Sequence, residues 1–230
     1  MPSGPAVDVD DGRAAPSDVG QRPALRGWLH VGAFVAVLVV GPLLVLRAHS
    51  LASVVALTVY VVSLAGLFGV SALFHRVRWS PVGRRRMRRA DHTTIFLAIA
   101  GTYTAVAVLV LHGGAELGIL CLVWAGAVVG VTIRQVWLDA PKWVVAVPYV
   151  VVGWCVVVVA PQVYRGIGPG GFALLLIGGL FYTAGALAYA LRRPNPIPGV
   201  VGYHEVFHAC TLCGAALQLA AIGLYALPHR

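Results

Sequence analysis

Long apolar runs separated by short polar connectors dominate the chain, at about 28–46, 51–75, 93–111, 117–133, 143–160, 170–191 and 203–227. Each holds 17 to 25 residues, enough for a helix to cross about 30 Å of hydrocarbon. The pattern predicts an all-α polytopic membrane protein whose seven transmembrane helices form one domain over 25–230. Connectors of four or five residues make spans one and two, and spans three and four, antiparallel hairpins. Residues 1–24, rich in Pro, Gly, Ser and Asp without an apolar period, predict a disordered tail. The first run starts too late, behind too acidic a leader, for a cleaved signal peptide, and is expected to be a membrane span. Gly126 with Gly130, and Ala65 with Gly69, supply small residues four apart for close helix packing. Pro148 is expected to kink span five.

Composition agrees with the pattern: 59% of the 230 residues are hydrophobic and 11% charged, against about a quarter charged in a soluble domain. A net charge of +9 would suggest nucleic acid in a soluble protein. Here the basic residues sit in connectors and report topology instead, so no nucleic-acid partner is expected. Arg13, Arg22 and Arg26 precede span one, and Arg76, Arg78, Arg84, Arg85, Arg86, Arg88 and Arg89 lie between spans two and three. Arg134 and Lys142 flank the next connector on that side, followed by Arg192 and Arg193, which leaves Arg47, Arg165 and Arg230 opposite. The positive-inside rule then gives a cytoplasmic N-terminus and an external C-terminus. Cys121, Cys155, Cys210 and Cys213 fall inside apolar runs, where they read as small packing thiols.

Ionisable groups at membrane depth are costly and so mark candidate chemistry. Outside the tail the acids are Asp91, Glu116, Asp139 and Glu205. Glu116 and Asp139 fall in connectors, where solvation accounts for them. His75 ends span two, Asp91 and His92 open span three, and His204 and His208 open span seven, all on the cytoplasmic side. His204 and His208 are four apart, about 400° of helical turn, so both rings leave one face. Ser71 and His75 share a face of span two in the same way. These positions predict three nitrogen ligands, His75, His204 and His208, around Zn2+ with a fourth position open, the pattern of catalytic zinc. Zinc would acidify a water and polarise a carbonyl. Asp91 would serve as general base, and Ser71 would bind the water or a developing oxyanion. His30 and His92 read as interfacial polar residues. The string His204-Glu205-Val206-Phe207-His208 also matches the H-E-x-x-H of zinc proteases, but Glu205 would point about 100° away from His204. Cys210 and Cys213 lie about 200° and 180° from His208 and His204 in helical angle, off the ligand face.

With these residues assembled, the chain resembles the hemolysin III family, within the progestin and adipoQ receptor superfamily that includes the adiponectin receptors. The resemblance runs from Arg26-Gly27-Trp28-Leu29-His30 to the last span. It rests on Ser71-Ala72-Leu73-Phe74-His75, Asp91-His92, Ile99-Ala100-Gly101-Thr102-Tyr103-Thr104, Gly153-Trp154, Tyr182-Thr183-Ala184-Gly185 and His204-Glu205-Val206-Phe207-His208. Phe74 stands where tyrosine is common and Ala105 where proline often follows, both away from the ligand histidines. The resemblance implies an intramembrane zinc near the cytoplasmic face, held by His75, His204 and His208, with Asp91 holding the water and Ser71 beside it.

Two functions remain in view. One is a zinc-dependent, ceramidase-like hydrolase of lipid amide or ester bonds, as the kinship of the superfamily with alkaline ceramidases implies. The other is a non-enzymatic receptor-like or membrane-homeostasis protein, or a pore-forming cytolysin, with structural zinc. Either would work among membrane lipids, on a lipid-like substrate or ligand. Richness in alanine, valine and arginine suggests a bacterial plasma (inner) membrane as the location.

Overall fold

The computed structural model describes residues 27–197 and 200–229; the tail expected over 1–24 lies outside them. Among the described residues the chain is all-helical. Helix α1 (Trp28–Leu46) starts at Gly27, whose φ of 83° is left-handed. Helix α2 (Leu51–Arg76) begins where the Ser50 hydroxyl accepts from the Ser53 N–H at 3.1 Å, satisfying a backbone donor that the first turn leaves open.

Helix α3 (Pro81–Val110) starts twelve residues ahead of the apolar run that predicts it. Hydropathy locates the part of a helix that suits lipid, not where the helix begins. The Ser80 hydroxyl caps the Gly83 N–H at 3.1 Å, and Pro81 occupies the first turn, where its missing N–H costs nothing. The arginines that follow are good helix formers, so much of the predicted arginine connector is helix. Arg88 there pairs with Asp139 at 2.9 Å, tying α3 to the connector beyond α4 (Gly114–Val136). Asp139 is thus an ion-pair partner as well as a solvated connector residue.

The fifth predicted span is cut differently from expectation. Helix α5 (Lys142–Gly153) runs through Pro148 and stops at Trp154 and Cys155; α6 (Val156–Leu191) then carries on beyond the expected end at 160. The interruption is held by one side chain of α3. The Tyr103 hydroxyl donates to the Gly153 carbonyl at 2.6 Å and accepts from the Val156 N–H at 2.7 Å. Inside α6, Gly168 leaves helical geometry at φ 66°, ψ 178°. Helix α7 (Tyr203–Ala221) continues through a wider turn over Ile222–Ala226.

Among the described residues six helical stretches are long and apolar enough to cross a membrane; one of them, Ala146–Leu191, contains most of the fifth predicted run and all of the sixth. The helices pack mostly in chain order, and α1 also meets α7. Helix α3 is the central post: 61% of its apolar window is buried, against 17–39% in the others. At the crossing of α6 and α7, a Cβ on Gly214 would sit 2.9 Å from the Gly178 carbonyl oxygen. Only a bare backbone fits there. Large apolar side chains such as Val39, Leu43, Leu46 and Val158 face outward, whereas His30, Ser71, His75, Arg134, His204, Glu205 and His208 are buried. That distribution suits a lipid surround, in which outward apolar groups need no cover.

Candidate metal centre

The site forms where the end of α2 meets the start of α7. On α2, Ser71 and His75 are one turn apart and both buried. Gly27 packs directly over His75: a Cβ built on it would lie 2.9 Å from the His75 Cβ. Both its left-handed φ and this contact call for glycine. The Arg76 guanidinium lies 4.3 Å over the Trp28 ring beside it, so α1 braces this end of α2.

Helix α7 is anchored at its first turn. The Gly202 N–H donates to the Glu205 carboxylate at 2.9 Å, and the Tyr203 N–H donates to the Asn195 side-chain oxygen at 2.9 Å. Glu205, the residue that H-E-x-x-H would make a base, therefore caps its own helix. Its two neighbours in the motif, His204 and His208, turn into the bundle and are buried.

The three imidazoles meet. Ligand nitrogens of His75, His204 and His208 all lie within 4.8 Å of one another, and the Nε2 atoms of His75 and His204 are 3.2 Å apart. Two nitrogens bound to one tetrahedral zinc at about 2.0–2.1 Å would be about 3.3–3.4 Å apart. The donor set and its spacing therefore fit a metal ion, and this cluster could hold one.

A cavity of about 140 Å³ opens beside the cluster. Ser71, Asp91, His204 and His208 all line it, with an apolar wall that includes Leu67, Ile95, Ile99 and Phe207. Asp91 and Ser71 thus share one chamber with two of the three histidines. Arg88 and His92 contribute from α3, the His92 Nδ1–H donating to the Arg88 carbonyl at 2.6 Å. A smaller cavity of about 80 Å³ continues the lining at Thr102, Tyr103, Gly153, Trp154 and Gln218. Cys210 and Cys213 stay out of the cluster: Cys210 packs near Gly185, and Cys213 is exposed.

A model of the family described as "Haemolysin-III related" matches residues 20–219. The chain belongs to the haemolysin-III-related family. Among curated relatives of this family, "Hemolysin-3" of Bacillus cereus is 29% identical over 198 residues, covering 84% of this chain and 87% of the relative. "Hemolysin-3 homolog" of Bacillus subtilis (strain 168) is 26% identical over 172 residues, covering 75% and 78%. The match spans all three clustered histidines, with Ser71 and Asp91.

Two features of this haemolysin-III-related structure escape sequence reasoning. His30, expected at the interface, is 2% exposed and stacked on His208 with ring centroids 4.0 Å apart. Its depth was a usable signal, because it lies three residues inside span one at the same end as the other histidines. The second is the group around the helix interruption, where the Trp154 indole N–H donates to Thr183 at 2.9 Å. Tyr103, Trp154 and Thr183 all sit in the motifs that carry the family resemblance, but their partners lie up to 53 residues away in sequence.

Proposed function

We propose that this membrane protein is a zinc-dependent hydrolase of lipid amide or ester bonds. The carrying observation is a buried three-histidine cluster opening onto a largely apolar cavity that also holds a carboxylate and a hydroxyl. The donor set favours zinc, which accepts three nitrogen ligands and keeps a fourth position for water or substrate. Bound there, it would polarise a carbonyl and acidify water. The rest falls to the chain itself. The lipid's alkyl portion lies along the apolar wall, which keeps bulk water out. Asp91 takes a proton from the water that attacks the carbonyl carbon and returns it to the leaving nitrogen or oxygen as that bond breaks. The Ser71 hydroxyl donates to the oxygen that gains negative charge.

The membrane topology we propose has seven crossings, with the N-terminus cytoplasmic and the site near that face of a bacterial inner membrane. Supporting the count, Ala146–Leu191 holds 46 residues, about 69 Å of helix at 1.5 Å per residue, more than twice the hydrocarbon thickness. Its departure from helical geometry at Gly168, just before Pro169, gives a place to reverse. Supporting the orientation is the arginine bias. Labelling single cysteines at Ser50 and Val200 in intact cells with an impermeant reagent tests both: Ser50 should react and Val200 should not.

A second reading treats the ion as a fastener of α2 to α7 in a non-enzymatic or cytolytic protein. It is favoured by the three ligands coming from two helix ends and by the printed names of the relatives. Zinc-loaded protein in liposomes, offered amide and ester lipids, separates the two readings. Fatty acid release that His208→Ala abolishes supports the hydrolase. No release from any lipid, with the variant equally silent, sinks it, and ion flux would then point to the pore.

A further inference from the structure

His30 has no part in the three-histidine cluster, yet it is as deeply buried as its members. Its ring lies nearly parallel to that of His208, at 11° and 4.0 Å between centroids, and meets Phe68 edge-on at 5.2 Å. Neither ring nitrogen has a hydrogen-bond partner among the described residues. The residue lines the cavity together with Ser71, Asp91, His204 and His208.

An imidazole offers one N–H donor and one acceptor when neutral, and burying both without partners is unfavourable. A leucine or phenylalanine would fill this space without that cost. The stacking also rules out one obvious role. His75, His204 and His208 would hold a metal ion, whereas His30 presents its ring face rather than a nitrogen to His208 and stands outside the cluster of ligand atoms. What remains within reach of its nitrogens is the occupant of the cavity.

We propose that His30 is a ligand-binding residue: a ring N–H donates a hydrogen bond to an oxygen, carbonyl or hydroxyl, of the polar end of the lipid held beside the three histidines. This rests on the lipid-hydrolase reading of the cavity, and it deepens that reading by adding a group that recognises the lipid's polar end from α1. The ring face stays on His208 while the ring edge meets the lipid, so recognition and support of the metal ligand use different parts of one side chain.

The test uses full-length, zinc-loaded protein in detergent, with N-lauroylethanolamine as the probe and zinc content, thermal midpoint and binding as readouts. His30→Phe keeps an aromatic ring for the stack and removes the hydrogen bond; His30→Gln keeps a donor. The expected result for His30→Phe is wild-type zinc content, an unchanged or higher midpoint, and roughly tenfold weaker binding. His30→Gln should recover most of that loss. Wild-type affinity in His30→Phe overturns the proposal and leaves the hydrolase reading standing. Loss of zinc in His30→Phe also overturns it, because His30 would then serve only to support His208. If wild type binds the probe without hydrolysing any lipid, and His30→Phe binds it more weakly, the hydrolase reading falls and the role of His30 stands. If wild type neither binds the probe nor releases fatty acid, both fall.

Discussion

Glu205 accepts a hydrogen bond from the backbone N–H of Gly202 at 2.9 Å, across the first turn of the helix that carries His204 and His208. A carboxylate in that position satisfies an end-of-helix donor and complements the helix dipole. Replacing it tests whether the motif works as a protease would use it. Glu205→Gln keeps an acceptor and is expected to retain zinc and any lipid hydrolysis within a few-fold. Glu205→Ala loses the cap, at a cost of about 1 kcal/mol, and should lower the melting midpoint by about 2–4 °C. A loss of activity in Glu205→Gln with zinc intact would return Glu205 to the chemistry.

Gly27 offers a test remote from the ligand atoms. A methyl group there would meet the His75 Cβ at 2.9 Å, on a backbone at φ 83°. Gly27→Ala should cost about 1–2 kcal/mol from the left-handed conformation, and should displace His75 and reduce zinc occupancy. Gly32, on the same helix, has nothing within 4 Å of the corresponding position, so Gly32→Ala is expected to be neutral. Metal analysis and thermal melts of the pair make the comparison.

The three histidines and the two cavity groups should separate by phenotype. His75→Ala, His204→Ala and His208→Ala are each expected to lose stoichiometric zinc. Chelation of wild type should lower its melting midpoint, because an ion bound only by the folded state stabilises it. Asp91→Ala and Ser71→Ala should keep the metal. Under the proposed hydrolase reading, in which Asp91 moves the proton, its loss is expected to slow hydrolysis by about 10²–10⁴-fold. Metal content measured beside fatty acid release decides it. Zinc loss in Asp91→Ala would make the aspartate a ligand or a structural support.

Tyr103 supports the helix interruption through one oxygen. Tyr103→Phe leaves the Gly153 carbonyl and the Val156 N–H, both partly buried, without that partner, at a cost of about 1 kcal/mol for each. Faster hydrogen exchange at the Val156 amide, with a lower melting midpoint, is the expected outcome. Unchanged protection at Val156 would mean that another group takes over.

The legible part of this molecule was its chemistry along each helix, and the illegible part was hydrogen bonding between helices. His204 and His208 share a face because of helical pitch, and their meeting with His75 joins two helix ends that the arginine counts put on one expected side. The start of α3 at Pro81 was hidden because a search for apolar residues passes over arginines that form helix equally well. The break after Gly153 lies in an unbroken apolar run from Trp143 to Val159. Hydropathy does not register where a backbone ladder stops, and the residue that makes the stop tolerable is on another helix. His30 reads as interfacial when taken alone, yet its position near the start of span one carries the same depth argument as the other histidines, and it is buried.

The contact between α1 and α7 joins the first helix of the chain to the last. Two of the three clustered histidines ride on α7, and the cluster is braced from the start of α1, by Gly27 against His75 and by His30 against His208. A chain with only its first six helices made carries one of the clustered histidines and lacks the helix that packs on both α6 and α1. An ion held by all three histidines would be gripped only after α7 has packed there. Loading of such an ion would then distinguish a chain with α7 in place from one without it.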